Sequence, residues 1–420
     1  MSSQFDNAQL SSEFGELIGT DKVRNSQGRE ALAANLVLEP TDAQQVAAIV
    51  QKCERDQIPL VPIGATRSCL RSDPQPVALS LARMNQIIAY ESEDMTVVAQ
   101  AGVLLGDLNR VAAQHGQRLP VDPPHPELTT IGSLIAGAKS GPIRLSEGTV
   151  RDLLIGITFV GHDGRVVHAG GRVVKNVAGY DLMKVLSGSY GTLGIIVEAN
   201  FKVRPIPPNY TLVGASFKNI ADAFAAAQAA DEAVRLFHCE VLGGSYATPF
   251  VDTGEFVLLA GFGGIPAEAD YQRAQLIAAL GDSVQIFAEA DAAMAYQQLC
   301  DFVPDESGFS AQIAVLPVEL ERCLREGHEA FRAHALNGVA QIYHANVGTT
   351  EEANELLKTW REIAHRSRGH VRVITAPPAL RAGLACFDAP PAPAMALMRK
   401  LKESFDPRNI FNPGSFVGGL

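Results

Sequence analysis

KNVAGYDLMKVLSGSYGTLG, residues 175–194, runs directly into IIVEANFKV, residues 195–203, and the reading of this stretch decides the rest of the chain. Gly179, Gly188, Gly191 and Gly194, with Gly171 just upstream, sit among small polar residues around one short amphipathic piece, DLMKVL. Glycine lets backbone N–H groups approach a ligand closely and take positive φ, and successive amides of this kind form a concavity for an anion. Lys175 adds positive charge, and the stretch ends in a strand-like apolar run. The pattern predicts an anion-binding loop feeding a strand. Turns alone would use the same glycines.

A chain of 420 residues is too long for one ordinary core, which predicts two or three domains. With 47% hydrophobic and 19% charged residues it has the composition of a soluble globular protein. A net charge of −11 argues against general nucleic-acid binding, which needs a basic face. Cys53, Cys69, Cys239, Cys300, Cys323 and Cys386 are scattered without a CxxC pair. That spacing excludes a local zinc knuckle or ferredoxin-type cluster and reads as small buried hydrophobes in a reducing compartment. MSSQFDNAQL lacks the basic and apolar regions of a signal peptide, and no run of 18 apolar residues is present. The expected location is cytoplasmic, or docked on something that is.

Residues 1 to about 30 read as a polar arm on the first domain. LVLEP predicts a strand, Thr41 with Gln44 a T-x-x-Q capping box, and Val46, Ile49, Val50 and Cys53 one face of a helix. IPLVPIG is the next strand, so residues 36–64 form a β-α-β unit. After it, Pro62, Ile63, Gly64, Ala65, Thr66, Arg67 and Ser68 leave the strand with amides and hydroxyls open to a phosphate; Arg67 reads equally as a solvated loop residue. LLGDLNRVAAQHG is a helix whose His115 and Gly116 read as C-terminal capping residues. Pro120, Pro123, Pro124 and Pro126 make a rigid extended approach to Thr130, Ile131, Gly132, Ser133 and Ala136. A hydroxyl- and glycine-rich helix start of this kind can hold an anion with its free amides. Arg151 and Asp152 read as a structural pair at a strand start, and VGHDGRVVHA as a hairpin turning at Asp163 and Gly164. From residue 209 the order β-α-β-β-α-β is the ferredoxin-like plan, with a looser echo over residues 309–376.

The 175–194 string resembles the adenine- and pyrophosphate-binding segment of FAD proteins of the vanillyl-alcohol oxidase type, also called the PCMH type. Within that family it is most similar to the FAD-binding E subunit of glycolate oxidase. SGPIRLSEGTVRDL resembles the family's second flavin-contacting loop, and FDPRNIFNPG its C-terminal segment. The resemblance implies an α+β fold, a two-lobed FAD-binding domain over residues 1–208, a cap over 209–392, and a segment over 393–420 that returns to the FAD domain. It implies FAD as cofactor, held covalently or not, with Ser140, Gly141, Arg144, Lys175, Asn176, Gly179, Tyr180, Asp181, Gly188, Ser189, Gly191, Gly194, Ile195 and Ile196 joining the loop residues above. No strand–GxGxxG–helix with an acid about twenty residues on is present, so a simple Rossmann dehydrogenase is not expected.

Oxidising a 2-hydroxy acid requires a cation for the substrate carboxylate and a base for the hydroxyl proton. His344, in YHANVG, is the candidate base, although a satisfied core or interface histidine fits the same residues. One histidine is not a metal site, and none is expected. Cys69 and His125 stand near the loops as conceivable points of covalent attachment, with a buried cysteine and a turn histidine as the plainer readings. Two functions remain. One is a flavin-bearing subunit working with a catalytic FAD subunit and an iron–sulfur subunit on glycolate, without nucleic acid and touching a membrane only through its partners. The other is a self-sufficient FAD dehydrogenase of glycolate or a D-lactate-like acid.

Overall fold

The computed structural model describes the chain apart from residues 1–4, 65–73, 172–180, 251–254, 282–283, 302–307, 326 and 382, and apart from the side chains of Arg29 and Leu32. It divides into two compact units. The first comprises Met1–Lys139, Thr149–Ile206 and Ala389–Leu420, the second Ser140–Gly148 and Pro207–Asp388.

The first unit opens with α1 (Asn7–Ile18), capped by Asp6 on the Ala8 amide. The reading of this region as an unpatterned arm misses the helix, because its buried stripe is only Leu10, Phe14 and Ile18 in a polar background. β1 (Val23–Asn25) pairs antiparallel with β2 (Ala34–Leu38). α2 (Ala43–Asp56) buries Val46, Ile49, Val50 and Cys53, the spacing the sequence predicts. Its cap lies one residue beyond the expected box. Asp42 accepts from the Gln45 amide and Gln45 reaches back to the Thr41 amide, a carboxylate being the better acceptor at a positive helix end. β3 (Leu60–Ile63) and β2 both run parallel to β4 (Gln75–Ser80), which inserts between them in the order β1-β2-β4-β3.

The chain continues through β5 (Ile87–Glu91), β6 (Thr96–Gln100), α3 (Leu105–Ala113), β7 (Gln117–Arg118) and α4 (Ile131–Ala136). α5 (Arg144–Glu147) lies in the second unit. α6 (Val150–Leu153), β8 (Leu154–Val160), β9 (Val166–Gly170), α7 (Leu182–Leu186), β10 (Ile195–Lys202) and β11 (Arg204–Pro205) complete the run. Arg151 and Asp152 fall in α6 rather than at a strand start, and Asp152 closes a capping box on Thr149. The second sheet is antiparallel in the order β5-β6-β10-β8-β9. β8 and β10 serve two cores at once. Val160, Ile195 and Val197 pack with α1, α2 and the parallel sheet, while Ile157, Phe159, Ile196 and Phe201 pack with α3 and α4.

The second unit holds β12 (Thr211–Phe217), α8 (Ile220–Ala233), β13 (His238–Gly243), β14 (Phe256–Phe262), α9 (Pro266–Leu280) and β15 (Gln285–Ile286). After α10 (Glu289–Asp301) come β16 (Phe309–Ala314), α11 (Pro317–Cys323), β17 (Ala330–His334), β18 (Val339–His344), α12 (Thr350–Arg366) and β19 (His370–Thr375). The sheet order β15-β12-β14-β13-β17-β18-β16-β19 contains the ferredoxin-like arrangement twice. The expected loose echo is thus a full second copy. Its strand β17 is hard to read in sequence because five residues follow α11 closely and carry Arg332 and His334. β13 and β17 pair, which removes one open edge from each half. The last helix, α13 (Ala392–Phe405), belongs to the first unit, and Ile410 and Phe411 beyond it enter the α1–α2 core. Among the described residues no helix is long and apolar enough to cross a membrane.

Candidate functional site

Three of the predicted stretches meet at α4. β3 ends at Ile63, and Gly64 passes over the helix start so closely that a Cβ on it would lie 2.7 Å from Ser133 Cβ and 3.1 Å from Thr130 Oγ1. Gly191, with φ +70°, lies against Pro62, whose Cγ would be 2.4 Å from an added Cβ. The Gly188 and Tyr190 amides donate to the Ile135 and Ala136 carbonyls at 3.0 and 2.9 Å. Pro62–Gly64, Thr130–Ala136 and Gly188–Gly191 therefore form one neighbourhood.

The other predicted residues are spread more widely. Pro123 is buried on the approach to α4, Asp181 precedes α7 and pairs with Lys184 at 2.6 Å, and Gly194, Ile195 and Ile196 lead into and begin β10. Ser140, Gly141 and Arg144 lie in the second unit, where Arg144 Nη1 donates to Ser140 Oγ at 3.5 Å. Ala65, Thr66, Arg67, Ser68, Cys69, Lys175, Asn176, Gly179 and Tyr180 fall outside the described residues.

The amides do not all play the part the sequence suggests. Ile131 and Gly132 donate to the Val103 and Ala101 carbonyls, and Ser133 to Thr130 Oγ1, so the start of α4 is fastened to the chain after β6 rather than left free for an anion. The Gly188 and Tyr190 amides satisfy carbonyls at the other end of α4, which a six-residue helix leaves without partners. Two polar side chains lie beside that end. Ser189 is buried, and its hydroxyl has no hydrogen-bond partner among the described residues. Lys139 lies three residues beyond α4, half-buried, and desolvation pushes its ammonium pKa down to about 8. Gly188 stands against Ala138, so the two donors flank one turn. A buried hydroxyl and a half-buried, desolvated amine suit a phosphate, whose oxygens can accept from both. Lys139 escaped the sequence reading because nothing in AGAKSG distinguishes a buried lysine from a solvated one.

In the second unit, His344 ends β18 with Nδ1 3.1 Å from Glu329 Oε1, and the other Glu329 oxygen accepts the Ala345 amide at 2.7 Å. The contact does not meet hydrogen-bond geometry at Nδ1, so Glu329 stands beside the ring as a neighbouring charge and does not fix its tautomer. His238 is fully buried against the Tyr210 hydroxyl at 2.8 Å, and burial together with the neighbouring His334 pushes its pKa down to about 3. His334 pairs with buried Glu240 at 2.7 Å. Among the described residues no group of three or more histidine, cysteine, aspartate or glutamate side chains is arranged to hold a metal ion. His125 takes φ +50° at the turn before Pro126, with its carbonyl accepting the Leu128 amide.

Residues 34–170 match the FAD binding domain family, and residues 391–416 match the C-terminal domain of FAD-linked oxidases. Glycolate oxidase subunit GlcD of Bacillus subtilis is 27% identical over 90% of this chain and 88% of its own length. A D-lactate dehydrogenase of Anaerostipes hadrus is 35% identical, but the match spans 45% of this chain and 40% of that protein. Glycolate oxidase subunit GlcE of Escherichia coli is 34% identical over 39% of this chain and 48% of its own length. For those last two, the chain spans less than half of the relative. In fold, p-cresol methylhydroxylase superposes with a TM-score of 0.69 at 16% identity, covering 97% of this chain and 96% of that one. The fold is of the PCMH type, the chain carries the FAD binding domain and the C-terminal segment of FAD-linked oxidases, and FAD is its cofactor.

Proposed function

We propose that this FAD-dependent oxidoreductase is the flavin-bearing subunit of a multisubunit 2-hydroxy acid dehydrogenase, working on glycolate beside a catalytic flavin subunit and an iron–sulfur subunit. The observation that carries the reading is the meeting of Pro62–Gly64, Thr130–Ala136 and Gly188–Gly191 at α4, with the buried Ser189 hydroxyl and the half-buried Lys139 amine beside it. Similarity to both GlcD and GlcE, each named as a glycolate oxidase subunit, supports the complex. In this reading residues 1–208 are the FAD-binding domain, 209–392 the cap and 393–420 the returning segment. The assembly works in the cytoplasm or at the inner face of the membrane through its partners.

When bound, FAD supplies a two-electron acceptor for hydride from the carbon that bears the hydroxyl. Ser189 and Lys139 would hold its diphosphate, and Gly64 and Gly191 let the surrounding loops close to contact distance. A second reading, a self-sufficient dehydrogenase of glycolate or D-lactate, is favoured by the Glu329–His344 pair. There the His344 imidazole takes the substrate hydroxyl proton as the C–H bond is broken, and the Glu329 carboxylate 3.1 Å away stabilises the resulting imidazolium. The purified chain, given glycolate and then D-lactate without oxygen, separates the two. A flavin that stays oxidised until partner subunits are added supports the first reading. Bleaching by the chain alone, lost in His344→Ala, establishes the second. A colourless chain that takes up no FAD rejects both.

A further inference from the structure

We infer that residues 402–416 act as a strap that positions the Tyr190–Thr192 turn for the cofactor's diphosphate, so that side chains remote from the loops set FAD affinity. The inference rests on the FAD reading of the α4 neighbourhood.

Tyr190 has φ +54°, a left-handed conformation that a bulky residue adopts only when its surroundings impose it. The strap imposes it. Asn412 Nδ2 donates to the Tyr190 carbonyl at 2.7 Å, and the Phe416 ring packs on the Tyr190 ring at 5.5 Å. Buried Lys402 donates to the Thr192 carbonyl at 2.9 Å and to the Phe411 carbonyl at 3.0 Å, and pairs with Asp406 at 2.6 Å. Asp406 in turn accepts the Ile410 and Phe411 amides at 2.9 and 2.8 Å, which fixes the strap itself. The same segment fastens β3, because the Leu60 amide donates to Ile410 and the Asn412 amide to Leu60, at 2.8 and 2.9 Å. Two of the three converging stretches thus share one fastening.

Peptide planarity gives that fastening a consequence. In a trans peptide the C=O and the following N–H point in opposite directions. Holding the Tyr190 and Thr192 carbonyls toward the strap therefore turns the Gly191 and Leu193 N–H groups away from it. Neither amide donates a hydrogen bond among the described residues. With the unpartnered Ser189 hydroxyl they form a donor set for phosphate oxygens.

The test compares the full-length apoprotein with Asn412→Asp and Phe416→Ala. Aspartate keeps the size, the tolerance of positive φ and an acceptor for Ser415, but loses the donor to Tyr190. FAD and FMN are titrated by flavin fluorescence, and each apoprotein is melted. The expected result is a fall in FAD affinity of about tenfold or more with a much smaller change for FMN, beyond what any change in melting accounts for. Lys402→Arg should retain more FAD affinity than Lys402→Met. Wild-type FAD affinity in both strap variants overturns the inference. So does an equal loss for FAD and FMN that tracks the melting temperature, which would make the strap structural only. A wild-type apoprotein that binds no FAD overturns the underlying reading, and the strap falls with it.

Discussion

With φ +70° and Pro62 Cγ 2.4 Å from where a Cβ would stand, Gly191 is closed to any larger residue unless the turn or the end of β3 moves. Gly191→Val should cost roughly 2–4 kcal/mol, combining left-handed strain with overpacking, and should abolish flavin retention. Urea unfolding and the visible spectrum of the purified variant check both parts. Lys139 makes a different prediction. Its folded pKa of about 8 lies below its ordinary 10.5, so between those values the unfolded chain binds more protons than the folded one. Stability therefore rises with pH across that window, by up to roughly 3 kcal/mol, and is flat below it. Lys139→Met should remove this rise in apoprotein unfolding curves, and bound FAD should reduce it in the wild type, because a neighbouring anion favours the charged amine.

At the scale of elements, α2 and the tail show how local chemistry fixes boundaries. Asp42→Ala removes the oxygen that accepts the Gln45 amide and should destabilise by about 1 kcal/mol, read from the urea midpoint at unchanged slope. Lys402→Met strands the Asp406 carboxylate in the core and should cost about 3–5 kcal/mol, far more than an exposed ion pair would. The first loss is foreshadowed by TDAQQ, although the sequence places the cap on Thr41 instead of Asp42. The second is invisible there, since a lysine four residues before an aspartate on a helix reads as a solvated pair.

The molecule as a whole consists of two compact units. Only the first contains the α4 neighbourhood, so FAD at a hundred times its dissociation constant should stabilise that unit by about 2.7 kcal/mol. In calorimetry the transition of the first unit should move up while that of the second stays in place. A uniform shift or none would count against FAD binding there.

Much of this architecture was legible before folding. The apolar spacing of α2, the positive-φ residues Gly188, Gly191 and Gly194, and the β-α-β-β-α-β order each rest on local periodicity or backbone freedom, which a single segment carries in itself. α1 was hidden by a narrow stripe, and β17 by a short polar strand whose need arises only from its neighbours. The sequence by itself determined the fold class and the order of most elements, and it named three of the stretches that meet at α4. Only tertiary structure decided which amides cap α4, that the Ser189 hydroxyl is buried without a partner among the described residues, that Lys402 lies buried and that Lys139 is half-buried and desolvated. Those outcomes depend on desolvation and on hydrogen bonds between residues far apart in the chain, and no local pattern encodes either.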